Sequence, residues 1–176
     1  AMALVAVVVS EASAAAPALV VGGLSIAQRQ CREAHIAKAA RVFVLTDAAD
    51  TAFAGENVTL CSTPAELAAA LTDADDVLMF APGLVVDERI VAAVCAAPAP
   101  AVASWPASSE RGLERIDPTR LSAGVALYRG ATVRAVAADL GDWDFASTLL
   151  RSSLADPAVT IIDIAAFDSY ATARRR

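Results

Sequence analysis

Residues 3–47 read ALVAVVVSEASAAAPALVVGGLSIAQRQCREAHIAKAARVFVLTD, and this stretch decides the fold. Leu4 to Val9 is a continuous, valine-rich apolar run, as expected of a strand buried on both faces. A loop follows, then a helical stretch from about Leu24 to Ala40. On it Leu24, Ala27, Cys31 and Ala34 share one face, and Arg29 and Glu33 form an i,i+4 pair on another. Arg41 to Leu45 is a second buried strand. Strand, helix and strand make one βαβ unit, and such units build parallel sheets. Parallel sheets bind ligands outside the carboxyl ends of their strands. The loop from Ser10 to Val21 lies at that place, so its chemistry decides the functional reading.

Beyond Asp47 the pattern predicts a short helical piece near 48–54, a turn at 55–57 and a short strand from Val58 to Cys61. Ser62 or Thr63 caps the next helix, which has Pro64 at its first position, Glu66 in its first turn and an end near Leu71. Asp73, Asp75 and Asp76 read as a solvated acidic turn and not as a metal site. Asp76 to Phe80 is a buried strand broken by Ala81-Pro82-Gly83, and Asp87 opens a helix to about Ala97. Further strands are predicted at Ala101 to Trp105, Gly112 to Ile116, Ser122 to Arg129 and Val159 to Ile164. Further helices are predicted at Ala131 to Ala138, Phe145 to Ala155 and Ser169 to Arg176. The sum is a single α/β domain over residues 1–176. It is a three-layer α/β/α arrangement around a mostly parallel sheet of about six or seven strands.

Composition narrows the function classes. The chain has 176 residues, enough for one real core. Hydrophobic residues make up 57%, much of it alanine, and no apolar run reaches the roughly 18 residues of a membrane span. The N-terminus lacks the basic residues of a signal peptide, so a cytoplasmic location is expected. Net charge is −6 and Lys38 is the one lysine, so no electrostatic footprint for nucleic acid is present. Cys31, Cys61 and Cys95 are widely spaced and odd in number, which suits reduced thiols better than disulfides or zinc. The final Arg174–Arg175–Arg176 leads us to expect a longer parent protein. Such a basic run suits a position beside a membrane domain, and it equally suits a helix C-terminus.

Few motifs carry chemistry by themselves. Gly-x-Ser-x-Gly, the P-loop and Gly-x-Gly-x-x-Gly are all missing from the sequence. His35, the single histidine, lies four residues after Cys31 in mid-helix and reads as structural. Gly22–Gly23 could approach an anion or make a tight turn into the helix. Trp105 and Trp143 suit either a pocket rim or packing over a sheet edge. Arg111, Arg115 and Arg120 could meet a phosphate or form a solvated face.

Four segments, in order, carry a family resemblance. VVGGLSIAQRQ (20–30) is similar to a Val-Gly-Gly-x-Pro-Leu-Ile helix opening, and DVLMFAPGLVVD (76–87) to a strand ending in Gly-Asp-His-x-Phe. SAGVALY (122–128) is similar to an Asn-Ala-Gly strand, and IDIAAFDSYATA (162–173) to a closing Asp-Ile-Asp-Thr-Pro-Glu-Asp-Leu segment. On these the chain resembles the nucleotidyltransferases of glycosyltransferase-A-like fold, which join a sugar- or alcohol-phosphate to a nucleoside triphosphate. The likeness is nearest to the cytidylyltransferase-type domains fused to CDP-alcohol phosphatidyltransferases of phospholipid biosynthesis.

The resemblance implies a site as well as a fold. In that family a glycine-rich loop after the first strand offers backbone N–H groups to the triphosphate. An arginine and a lysine offset its charge, and two aspartates hold a magnesium ion. The corresponding, vestigial nucleotide-binding positions here are Ser10, Glu11, Ser13, Gly22 and Gly23. The loop SEASAAAPA (10–18) has no glycine, arginine or lysine, and Ala16 stands in the lysine's place. Pro82 and Ala165 stand at the two metal-binding aspartates, with Asp163 the nearby candidate ligand and Asp87, Asp142 and Asp144 further ones.

No catalytic residue is assigned. The expected function is binding or regulation by a nucleotidyltransferase-like domain with a degraded site, next to a C-terminal membrane domain of the parent. The alternative is an active cytidylyl- or related nucleotidyltransferase. It would use CTP, magnesium, Asp163 and arginines between 111 and 120.

Overall fold

The computed structural model describes residues 2–10, 20–47, 53, 57–107, 114–166 and 174–175. Its centre is β1 (Leu4–Val9), whose Val5, Ala6, Val7 and Val8 are fully buried. On one side β1 pairs in parallel with β4 (Arg41–Leu45), which pairs in parallel with β5 (Val58–Cys61). On the other side β1 pairs in parallel with β6 (Asp76–Phe80). The chain thus leaves β1 in both directions, which makes the gap between the ends of β1 and β6 the topological switch point.

Beyond β6 the sheet continues through β10 (Arg120–Arg129), β8 (Ala101–Pro106) and β11 (Thr160–Asp163). The full order is β11-β8-β10-β6-β1-β4-β5, with β9 (Arg115–Asp117) paired to β10. β10 runs antiparallel to β6, β8 and β9, while β11 runs parallel to β8. The sheet is therefore mostly parallel, with one reversed strand inside it.

Strand alternation divides the core into two layers. Ala6, Val8, Leu78, Phe80, Val125 and Leu127 face one side. They pack against α1 (Ile26–Ile36) and α3 (Glu88–Ala96). Val5, Val7, Val77, Met79, Ala126 and Tyr128 face the other. They pack against α2 (Pro64–Ala70), α4 (Gly130–Asp139) and α5 (Phe145–Leu154). This is the three-layer α/β/α arrangement expected from the sequence.

Several local expectations need correction. The first helix starts at Ile26, not Leu24, because Leu24–Ser25 (β3) pairs antiparallel with Val20–Val21 (β2). Gly22 and Gly23 form the two-residue turn of that hairpin, at φ +59° and +81°. Two successive positive φ values mark a primed hairpin turn, for which Gly-Gly is suited. Arg29 does not pair with Glu33; its guanidinium donates to the Val21 carbonyl and braces the hairpin. The last residues are not helical at Arg174–Arg175, which form a short strand (β12) antiparallel to β7 (Leu84–Val85). Alanine and arginine favour helix, but the propensity yields to an available strand edge. Residues 48–52, 54–56, 108–113 and 167–173 lie outside the described residues, and with them much of the predicted helical piece, the turn and Arg111.

α1 is started by a capping box. The Ser25 hydroxyl accepts from the Gln28 N–H at 3.1 Å, and Gln28 Oε1 accepts from the Ser25 N–H at 2.8 Å. Ser25→Ala removes the first bond and is expected to cost about 1 kcal/mol. In urea titration the midpoint should fall while the slope stays unchanged; an unmoved midpoint would show that the hairpin alone sets the helix start.

Candidate functional site

The turn after β6 is held from two sides. Gln30 is 2% exposed, and its Nε2 donates to the carbonyls of Ala81 and Leu84, both at 2.9 Å. The Ala81 N–H donates to the Gly124 carbonyl at 2.7 Å. Gly124 sits at φ +81° in the irregular part of β10, and a Cβ there would lie 2.2 Å from Leu84 Cδ2. Only glycine allows both that backbone conformation and so close an approach.

Beside this turn lies a cleft of about 320 Å³. Ser122, Gly124, Ala126 and Tyr128, alternate residues of β10, form its floor, with Met79 of β6 alongside. Ala146, Ser147 and Leu150 of α5 form its roof, and Pro82 and Leu84 also line it. Two carboxylates, Glu114 and Asp144, also line it, and among the described residues no lysine or arginine does.

Both carboxylates are oriented by Ser147. Its hydroxyl donates to Glu114 Oε1 at 2.8 Å, and its backbone N–H donates to Asp144 Oδ1 at 2.7 Å. Asp144 is the N-cap of α5, and its charge suits that helix terminus. Arg151 reaches Glu114 Oε1 at 3.4 Å from outside the cleft. Tyr128 is 5% exposed. Burial, and then the charge of Glu114, push its phenol far above the usual range, so it stays protonated.

The residues singled out in the sequence are scattered. Ser10 directly follows β1, and its N–H donates to the Leu45 carbonyl at 3.0 Å. Glu11 and Ser13 lie outside the described residues. Gly22 and Gly23 are spent on the hairpin turn. Asp163 is exposed at the end of β11, and its Oδ1 accepts from the Ala165 N–H at 2.9 Å. β11 is four strands from β1, which at the usual spacing is about 19 Å across the sheet.

The other acids and cations are placed as follows. Asp87 caps α3 and pairs with Arg89 at 2.9 Å. Arg89 is first among the causes that hold the Asp87 carboxyl below its ordinary range. Asp142 is exposed, and Asp144 alone of the four aspartates lines the cleft. Arg120 pairs with Asp117 at 2.6 Å, and Arg115 donates to the Pro118 carbonyl at 3.0 Å. His35 is exposed while Cys31 is fully buried, so they share no site. Trp105 packs against the core, and Trp143 is 78% exposed beside Asp144.

Gln30, Glu114, Tyr128 and Ser147 carried no role in the sequence reading. Gln30 left one signal there: a polar residue beside Cys31 on the apolar face of α1. The others meet across long separations, which local periodicity does not reveal. Among the described residues no group of three or more His, Cys, Asp or Glu converges to hold a metal ion. No helix there is long and apolar enough to cross a membrane.

No family model matches the chain, and no curated protein does. Solved structures do. The chain is similar to 2-C-methyl-D-erythritol 4-phosphate cytidylyltransferase from Thermus thermophilus, with a TM-score of 0.63 and 18% identity over 97% of this chain and 92% of the other. It is similar to a nucleotidyl transferase from Methanothermobacter thermautotroptrophicus, with a TM-score of 0.61 and 16% identity over 92% and 87%. A third likeness is to CMP:2-keto-3-deoxy-manno-octonic acid synthetase complexed with CTP, with a TM-score of 0.58 and 16% identity over 92% and 89%. The fold is that of the nucleotidyltransferases, over nearly the whole length of both chains.

Proposed function

We propose that this chain is a nucleotidyltransferase-fold domain that works by binding and not by nucleotidyl transfer. One observation supports the reading: the turn after β6, beside the switch point, offers no carboxylate, and three of its backbone groups are already bonded. Pro82 stands where the resemblance expects a carboxylate. The Ala81 and Leu84 carbonyls and the Ala81 N–H are already bonded to Gln30 and Gly124. The second expected carboxylate falls on Ala165, and Asp163 is turned into a local bond with its N–H.

These donors do not suit magnesium, which takes oxygen ligands from carboxylates and phosphates. The neighbouring cleft adds two carboxylates and, among the described lining residues, no lysine or arginine, which disfavours a polyphosphate. The sequence resemblance then suggests the setting, a regulatory or binding part of a CDP-alcohol phosphatidyltransferase-type protein, on the cytoplasmic side of its membrane domain.

The second reading, an active cytidylyltransferase, is favoured by the fold likeness to enzymes of that name and to a CTP complex. Calorimetric titration with CTP, with and without magnesium, separates the two. On the first reading no saturable binding appears up to about 1 mM, and no pyrophosphate forms with an alcohol phosphate present. Magnesium-dependent binding in the micromolar range would overturn it and make Asp163→Ala the next variant to assay.

A further inference from the structure

The cleft between β10 and α5 has a chemistry of its own. Its carboxylates converge because one residue, Ser147, orients both. Each of them keeps a second oxygen that accepts none of these bonds, and both side chains line the cleft. Tyr128 also lines it, more than nine-tenths buried, with no hydrogen bond to its hydroxyl among the described residues. A buried phenol usually finds a partner. Here the hydroxyl is open to the cleft, where it can donate and accept. The Ser122 hydroxyl, which accepts from the Gly124 N–H at 3.1 Å, still has its proton to donate. Met79, Ala126 and Leu150 supply an apolar wall.

The walls therefore offer anionic acceptors, neutral hydroxyls and hydrocarbon. A phosphate would lie against two carboxylates, with no lysine or arginine among the described lining residues and only Arg151, outside the cleft, beside Glu114. A protonated amine would be held at the carboxylates by charge-assisted bonds, and a hydroxyl on the same molecule would meet Tyr128. The volume suits a small ligand.

We propose that the cleft is a binding site for a small aliphatic amine carrying hydroxyl groups, its amine held by Glu114 and Asp144 and a hydroxyl by Tyr128. This rests on the reading that the domain does not bind a nucleoside triphosphate there.

The test uses three probes of one skeleton on the full 176-residue chain: 2-amino-1,3-propanediol, glycerol and glycerol 3-phosphate. Amide shifts are followed by NMR titration. The amino diol is expected to saturate in the low millimolar range or below, with shifts at Glu114, Tyr128 and Ser147. Glycerol should bind about tenfold more weakly, because it loses the charge-assisted bonds, and glycerol 3-phosphate should not saturate. Glu114→Gln should weaken the amino diol about tenfold, and Tyr128→Phe about threefold, while leaving the glycerol 3-phosphate result unchanged.

Tyr128→Phe keeps the packing and carries the test if Glu114→Gln does not fold. An amino diol that fails to bind, shifts that map elsewhere, or glycerol 3-phosphate binding as tightly would each overturn the site. Magnesium-dependent CTP binding that leaves the amino diol in place would overturn the binding-domain reading and spare this one. Loss of amino-diol binding with no CTP binding would do the reverse.

Discussion

Gly130→Ala is expected to lower the melting temperature by about 4–8 °C, the shift produced by about 2 kcal/mol in a chain of this size. Gly130 is the first residue of α4, and its N–H donates to the Asp75 carbonyl at 2.7 Å. A Cβ there would lie 2.0 Å from the Thr72 carbonyl oxygen and 3.0 Å from that of Asp75. Both are backbone atoms, so no side chain can turn aside to make room. Two effects oppose each other. Alanine is the better helix former by about 1 kcal/mol, which would favour the variant. The collision requires α4 to move off the turn between α2 and β6, and overpacking of that kind costs up to about 3 kcal/mol or more.

The control is Gly23→Ala, where a Cβ meets nothing within 4 Å but φ is +81°. That variant isolates the conformational term, about 1 kcal/mol. Equal losses in the two variants would show that the turn beside Gly130 is soft, and the steric argument would fall.

Asp75→Ala is the second large effect, about 2–3 kcal/mol at neutral pH. Asp75 is 4% exposed. Its Oδ2 accepts from the Thr72 N–H at 2.7 Å and from Arg41 at 2.8 Å, and Arg41 also donates to the Ala70 carbonyl at 2.7 Å. Breaking a wholly buried pair costs about 3–5 kcal/mol. The Arg41 side chain is 41% exposed, so solvent screens part of the loss, and the stranded Thr72 N–H supplies much of what remains.

The pH dependence has a definite sign. Burial by itself would raise the Asp75 carboxyl, but bonds from Thr72 and the charge of Arg41 outweigh it and hold the group below its ordinary value. Its folded pKa is thus depressed, so the stabilisation is fully present above the unfolded value of about 3.9. It is lost as pH falls through the folded value. Urea titrations at pH 7 and at successively lower pH should show the gap between wild type and Asp75→Asn closing only below about pH 4. A gap that stays constant to pH 2 would mean that the charge contributes nothing. Asp75 and Gly130 grip the same turn, so their losses should not add in the double variant.

Much of the frame was legible from local pattern. Val5 to Val8 read as buried on both faces because they are apolar without alternation, and both core layers do use them. Thr63, Asp87 and Asp144 sit as caps where a short polar side chain precedes an apolar-periodic run. The acidic turn was misjudged, because a run of aspartates looks the same whether its middle member is solvated or, like Asp75, folded in against an arginine from another strand. The reversal of β10 was equally hidden: alternation reports which face a side chain takes, not which way the strand runs.

The amino-acid sequence by itself determined the βαβ start, the order of elements, the layer each side chain joins, and the lack of glycine, lysine and arginine in the loop after β1. These depend on residue type and on spacings of two to four, which a local pattern records. Only the tertiary structure decided that Gln30 would tie down the turn 51 and 54 residues away. It alone placed Ser147 of α5 against Glu114, 33 residues earlier in the chain, and opened Tyr128 to the space between them. Such contacts arise from how packed layers superpose, and nothing in the neighbouring residues encodes that superposition.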